Sequence, residues 1–267
     1  MSELDVTQAS CFAVLCGAAS LLIWLERVIP HQPGQRFFRE GFRDDLVVYS
    51  IVQSYVVGLV ISSLMRVLHA QLPAWTPLAR LPIALQVCFF LVTHDFALYW
   101  FHRWQHSSKH LWWTHALHHS NRDLDWLAGS RATAAEILLT ETLKYTPMVL
   151  LGAAPEVAII KGTIDAIWGM YLHANIDVRS GALQYVINGP EMHRFHHALD
   201  HDAWNKNFAT KLAVWDWLFG TAFWPRDRAP TGYGLAEGPA PRGYLAQQLY
   251  AFPQRFRRTT VRPGRSA

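Results

Sequence analysis

The sequence predicts an all-α protein: an integral-membrane helical bundle of about four to five membrane helices with a cytoplasmic, histidine-rich helical cap. Three observations predict it. Apolar residues make up 51% of the 267 positions and charged residues only 16%, well under the roughly 25% of ordinary soluble domains. Long runs free of charge recur along the chain. The motif His-x-x-His-His occurs twice, as HALHH (His115 to His119) and HRFHH (His193 to His197).

The first run, residues 8–25, is nearly all apolar. The acidic leader MSELDV lacks the basic start of a cleaved signal peptide, so this run is expected to stay in the mature protein. The second run, residues 46–68, carries no charge as far as Met65. Each is long enough to cross a hydrocarbon core of about 30 Å as a helix. The third, residues 81–101, is apolar to Thr93 and then continues as HDFALYWFHRWQH. Residues 137–172 read as a helical hairpin about the turn-like GAAPE. Glu141, Lys144, Lys161 and Asp165 lie on it, so it need not face lipid all round. The competing reading, a set of core helices in a soluble protein, has to hide two uncharged runs of spanning length in a short chain.

Residues 1–224 are expected to form one membrane domain. Residues 225–267 form a basic tail rich in Pro and Gly, read as irregular, with Arg255, Arg257, Arg258, Arg262 and Arg265 near its end. Basic residues mark the cytoplasmic side. Arg27, Arg36, Arg39 and Arg43 lie between the first two runs and none precedes the first. That places the N-terminus outside and the histidine-rich regions inside; a bacterial inner membrane is the expected location, since no endoplasmic-reticulum return signal is evident. The net charge of +4 suits an anionic membrane surface, and no basic stretch has the aromatic interleaving of a nucleic-acid reader. Cys11, Cys16 and Cys88 lie in apolar runs without a CxxC pair and read as small buried hydrophobes.

The histidines carry the chemistry. With 14 histidines in the chain, one His-x-x-His-His is expected by chance only about 0.04 times. On a helix, residues at i, i+3 and i+4 share a face. His115, His118 and His119 are therefore expected to project together, as are His193, His196 and His197. Upstream, Asp95, Tyr99, His102 and His106 step by helical spacings and form one stripe. An Asp in an apolar helix costs about 2.5 to 3.5 kcal/mol on the lenient insertion scale and normally has a partner; the plainer reading is a hydrated interfacial residue. Imidazole suits iron, zinc, copper or nickel. Eight histidines in three clusters exceed what one ion can take, so two adjacent ions, completed by oxygen species, are expected.

Taken in order, HDFALYWFHRWQH, THALHHS, YLHANI, MHRFHH, NKNFA and WDWLFGT resemble the sterol desaturase and fatty acid hydroxylase superfamily of integral-membrane di-iron enzymes. The likeness runs from about Arg39 to Thr221. It implies that the ions are two non-haem iron atoms, with zinc a possible substitute. It also implies ligands at His102 and His106, at His115, His118 and His119, at His193, His196 and His197, and at His173 within HANI. Read without the resemblance, His173 is equally an ordinary helix-end histidine. The family segment resembling Arg-x-His-Pro-x-Glu reads RATAAE here, keeping Arg131 and Glu136 and losing the histidine and proline. The implied activity is a monooxygenase that uses O2 and electrons from a separate carrier protein to hydroxylate, or else desaturate, a C–H bond of a lipid. The lipid could be an acyl chain, a sterol, a carotenoid or a head group.

Metal-bound histidines usually donate their second ring nitrogen to a carboxylate or carbonyl. Asp95, Asn175, Asn207 and Asp216 are the candidates for that contact. His94, His110 and His201 are left to the edge of the site, and His31 and His69 to loops. Trp215, Trp217 and Phe219 read as packing residues. No nucleophile elbow, phosphate loop or dinucleotide fingerprint is present. Two other classes compete: a membrane zinc hydrolase or zinc scaffold, and a non-catalytic membrane interaction protein.

Overall fold

The structure, a computed structural model, describes residues 2–71 and 76–252. Helices account for all its named elements, and no strand is present among the described residues. Arg255 and the other arginines at the end of the chain lie outside them.

Helix α1, Glu3–Val28, starts at a capping box in which Ser2 and Asp5 satisfy each other's backbone N–H. Only Leu22 and Glu26 are buried along it, and Leu21 and Trp24 are among its many exposed apolar side chains. Helix α2, Asp44–Gln71, opens with a wide π-helical stretch over Asp44–Gln53. Its buried positions are Asp45, Tyr49, Gln53, Val57 and Ile61. The four-residue spacing keeps them on one inward stripe. Helix α3, Ile83–Ser107, buries Gln86, Phe90, His94, Asp95, Tyr99 and His102 on one face.

These three helices are long and apolar enough to cross a membrane, and the chain is a membrane protein. The hairpin of α5, Ala134–Leu150, and α6, Pro155–His173, does not join them on length and composition. Its charges turn inward. Lys161 is 2% exposed and bonds Asp165 at 2.6 Å. The three cysteines are free, but Cys16 and Cys88 are exposed and Cys11 half-buried, which corrects the expectation of buried thiols. They lie on outward faces of α1 and α3, where lipid suits a small apolar side chain.

Three long-range connections fix the histidine-bearing end of the bundle. Pro30 pairs with Ile176, and Asp177 N donates to Ile29 O at 2.7 Å; together they tie the end of α1 to the segment after α6. Glu26 accepts from Trp126 N at 2.7 Å and Asn175 N at 2.9 Å. Arg39 bridges Asp45 and Asp125, both at 2.8 Å, and Arg131 bonds Asp45 at 2.7 Å. This network is buried. Removing one partner would strand an uncompensated charge, which costs about 3–5 kcal/mol.

The cap is made of short pieces: α4, Trp112–His115; α7, Pro190–His196; α8, Val214–Leu218; and α9, Tyr244–Leu249. Among the described residues beyond 225, contacts tie the chain back to the rest of the molecule. Tyr233 pairs with Ala198. Helix α9 docks on α2, where Tyr244 Oη and Gln248 Nε2 both donate to Gln53 Oε1. His69 lies in the last turn of α2 rather than in a loop.

Candidate metal centre

All nine candidate histidines converge, and they divide into two groups. His102, His106, His115, His119 and His196 form one, and His118, His173, His193 and His197 the other; within each group the ligand atoms lie within 4.8 Å of one another. The groups adjoin, with the His119 and His197 rings 4.4 Å apart. The division runs through both His-x-x-His-His motifs. His115 and His119 go to the first group and His118 to the second. His193 and His197 go to the second and His196 to the first. The expected common face is therefore corrected. Helix α4 ends at His115 and a 3-10 turn carries His118–Ser120. The residues one full turn apart share an ion position, while the middle histidine points to the neighbouring one.

The donor chemistry fits a cation in each group. A neutral imidazole has one N–H. His102 Nδ1 donates to Phe208 O at 2.8 Å, His196 Nδ1 to Lys206 O at 2.9 Å and His173 Nδ1 to Gly169 O at 2.8 Å. His115 Nδ1 donates to Glu136 Oε1. Each of these rings thus presents a bare lone pair at Nε2. His102 and His115 Nε2 nevertheless lie 2.9 Å apart. In the second group, His173, His193 and His197 Nε2 are mutually 3.1 Å apart. Lone pairs facing each other repel unless a positive charge sits between them. At a metal–nitrogen bond of about 2.0–2.1 Å, neighbouring donors fall about 2.9 Å apart at right angles and about 3.4 Å apart in a tetrahedron, which brackets these separations. Burial, reinforced by neighbouring imidazoles, holds His118, His119, His193 and His197 well below the ordinary histidine pKa. His196 is lowered to about 3, chiefly by burial. Neutral rings are the form a metal takes.

Asp95, Asn175, Asn207 and Asp216 stand one step back from the rings. Asp95 accepts from Lys211 N, Leu212 N and Trp215 Nε1 and from Thr210 Oγ1. Asp216 accepts from Phe208 N at 2.8 Å and Ala209 N at 2.9 Å. Asn207 binds Met192 O and both the N–H and the carbonyl of Phe223. Asn175 ties its own segment to Gln32. Each carboxylate or amide spends its bonds on backbone and on side chains other than the nine histidines, so its hold on an imidazole is indirect. Asn205 and Asn207 adopt positive φ, 58° and 57°, which Asn tolerates better than most residues. These two turns aim the Lys206 and Phe208 carbonyls at His196 and His102.

Sequence reasoning missed Glu136 as the direct carboxylate partner. Its signal was the glutamate retained in RATAAE. His94 is buried apart from both groups with neither ring nitrogen bonded. His110 and His201 are exposed.

The centre has two approaches. A cavity of about 390 Å³ reaches His106, His119, His196 and His197 from the cap, beside Trp112 and Trp204. A second, of about 220 Å³, reaches His102, His115, His118, His173 and His193 from among α3, α5 and α6.

The sequence pattern of the fatty acid hydroxylase family matches residues 87–221, just over half of the chain. Over 180 residues the chain is 34% identical to the ornithine lipid hydroxylase OlsE of Rhizobium tropici, covering 67% of this chain and 54% of that protein. Over 127 residues it is 32% identical to the alkylglycerol monooxygenase of Homo sapiens, covering 48% of this chain and 28% of that protein. It thus spans about half the length of the first relative and under a third of the second. No solved structure matches. The match begins in α3, ends just after α8, and contains every histidine of the two groups, so the chain belongs to the fatty acid hydroxylase family.

Proposed function

We infer that this chain is a membrane di-iron monooxygenase that uses O2 and electrons from a separate carrier protein to hydroxylate a C–H bond of a lipid. One observation carries the reading: nine imidazoles, seven of them buried, face two adjacent positions, and the four whose Nδ1–H is already donated present a bare Nε2 there. Imidazole donors admit iron among zinc, copper and nickel, and five donors at one position exceed the four of a structural zinc site. The named relatives, an ornithine lipid hydroxylase and alkylglycerol monooxygenases, favour hydroxylation over desaturation and a lipid over a soluble substrate.

His102 and His106, with His115, His119 and His196, would hold one iron, and His118, His173, His193 and His197 the other. Bound there, the pair supplies O2 activation, the chemistry that side chains lack. The chain supplies the rest. Glu136 fixes the tautomer of His115, and the Phe208, Lys206 and Gly169 carbonyls fix His102, His196 and His173. Leu98, Phe101 and Leu172 give the inner cavity an apolar wall that excludes water and fits a hydrocarbon. The chain is further proposed to be multi-pass, with an external N-terminus and the histidines at the cytoplasmic face.

The test is lipid mass spectrometry of cells with and without the protein, joined to metal analysis of the purified chain. The expected result is two irons per chain and a lipid that gains one oxygen only in air. Zinc alone, with O2-independent activity, would replace this reading by a zinc hydrolase.

A further inference from the structure

The inner cavity contains charge as well as hydrocarbon surface. At the end away from the histidines it is lined by Lys144, Asp165 and Lys211. Lys161, Lys211 and Lys144 approach Asp165 at 2.6, 2.8 and 3.5 Å. One carboxylate cannot neutralise three ammonium groups. Glu141 takes part of Lys144 at 2.5 Å. Asp95 is 4.0 Å from Lys211 and already accepts from four other donors. In number the cluster balances, three ammonium groups against Asp165, Glu141 and Asp95, but Lys161, Glu141 and Asp95 do not line the cavity; apart from Glu136, which His115 engages, a ligand meets two cations, Lys144 and Lys211, and one carboxylate, Asp165. Trp168 on the same wall buries its Nε1–H without a partner. Charges placed on helices beside membrane spans are costly, and they normally face a ligand pathway.

We propose that this cavity receives the substrate head-group first: an anionic lipid head group, phosphate or carboxylate, sits on Lys144 and Lys211 with Trp168 donating to it. The assignment rests on the lipid-oxidation reading and narrows it. Asp95 precedes His102 by seven residues and Asp165 precedes His173 by eight, about 10–12 Å along each helix. The oxidised carbon then lies near the head group rather than at the methyl end of a chain. Asp165 holds the lysines in place and offers a site for an ammonium group if the head is zwitterionic.

Binding is measured under argon on the iron-loaded full chain in uncharged detergent, so that it stands apart from turnover. Thermal unfolding is followed against 1-oleoyl lysophosphatidate, monooleoylglycerol and inorganic phosphate. The wild type should bind the lysophosphatidate at least tenfold more tightly than the uncharged lipid. Lys144→Met and Lys211→Met should each erase that preference at unchanged iron content, while Lys144→Arg keeps it. Trp168→Phe, which removes the indole N–H donor and no charge, should weaken lysophosphatidate binding severalfold and covers the case in which a lysine variant fails to fold. Equal binding of charged and uncharged lipid by the wild type, or undiminished binding by a folded Lys144→Met or Trp168→Phe, overturns the proposal. Protection by inorganic phosphate equal to that by the lipid also overturns it, since the source would then be a soluble anion.

Discussion

The five-histidine group is braced from distant parts of the chain, whereas the four-histidine group is braced largely by its own helices. In the first, Phe208 O, Lys206 O and Glu136 hold three of the five rings. In the second, His173 is held by Gly169 one turn earlier in α6, His193 and His197 are spaced one turn apart at α7, and His193 Nδ1 has no partner. The first group thus has a ligand to spare and a loop to depend on. The second has neither. Metal-binding tolerance and loop dependence should therefore separate between two positions whose rings touch.

The largest effect should come from the smaller group. His173→Ala leaves three donors there and is expected to lower bound iron from two per chain towards one, with activity down at least about 100-fold. His119→Ala leaves four donors in the larger group and should retain two irons with weaker binding. His118→Ala, one residue away, should behave like His173→Ala. Iron per chain by mass spectrometry of the purified variants decides. Equal iron in the His118 and His119 variants would break the division of the motif between two ions.

The loop that braces the larger group offers the next test. Asp216 is buried and accepts from Phe208 N, Ala209 N and Thr221 Oγ1. Asp216→Ala strands buried donors and should cost about 2–4 kcal/mol of stability, read as a lowered unfolding midpoint. Iron loss should begin at the five-histidine group, because the displaced backbone includes the carbonyl that orients His102. Loss from the four-histidine group first would contradict the loop's assignment.

The nine ligand candidates were legible because imidazole is chemically distinctive and a repeated five-residue spacing is rare. Their sorting was not. It depends on which rings from other segments meet each histidine, an outcome of packing that periodicity does not encode, and it is the same on α7, where the helix runs through His196. The three spanning helices followed from apolar length alone. The partners of the rings were misread for a specific reason: two of the four groups that orient them in the larger centre and its neighbour are backbone carbonyls in a left-handed Asn turn, Phe208 and Lys206, and a carbonyl has no residue type to read. Asp95 and Asp216 drew notice as carboxylates that could accept from a ring, yet they act on that turn and on the adjoining backbone. The lysines of the α5–α6 hairpin were visible as charges, but only the fold shows them meeting Lys211 beside the histidines.

A milder change tests the carboxylate brace. Glu136→Gln keeps the shape but replaces a charged acceptor of the His115 Nδ1–H by a neutral one. Outer partners of this kind are worth about 10- to 100-fold in metal affinity or activity. The loss should appear in iron affinity of the five-histidine group, with the unfolding midpoint of the metal-free chain nearly unchanged. An equal loss from both groups would mean that the two positions are coupled more tightly than their separate supports imply.

The smallest effect is expected from a single methyl group placed against the other half. A Cβ at Gly129 would meet His173 Nδ1 at 2.7 Å and Cε1 at 2.9 Å. Both are closer than real contacts allow, so the ring must give way and stretch its bond to Gly169 O. Gly129 is outside the left-handed backbone region, so alanine brings no backbone strain of its own, and it removes some freedom from the unfolded chain. Gly129→Ala should therefore leave the metal-free chain as stable as the wild type and weaken iron at the four-histidine group about three- to tenfold. The five-histidine group should be untouched, because the three atoms nearest the added methyl all belong to His173. Titration of iron into the metal-free variant separates the outcomes: one weakened step supports the division between the halves, and two equally weakened steps defeat it.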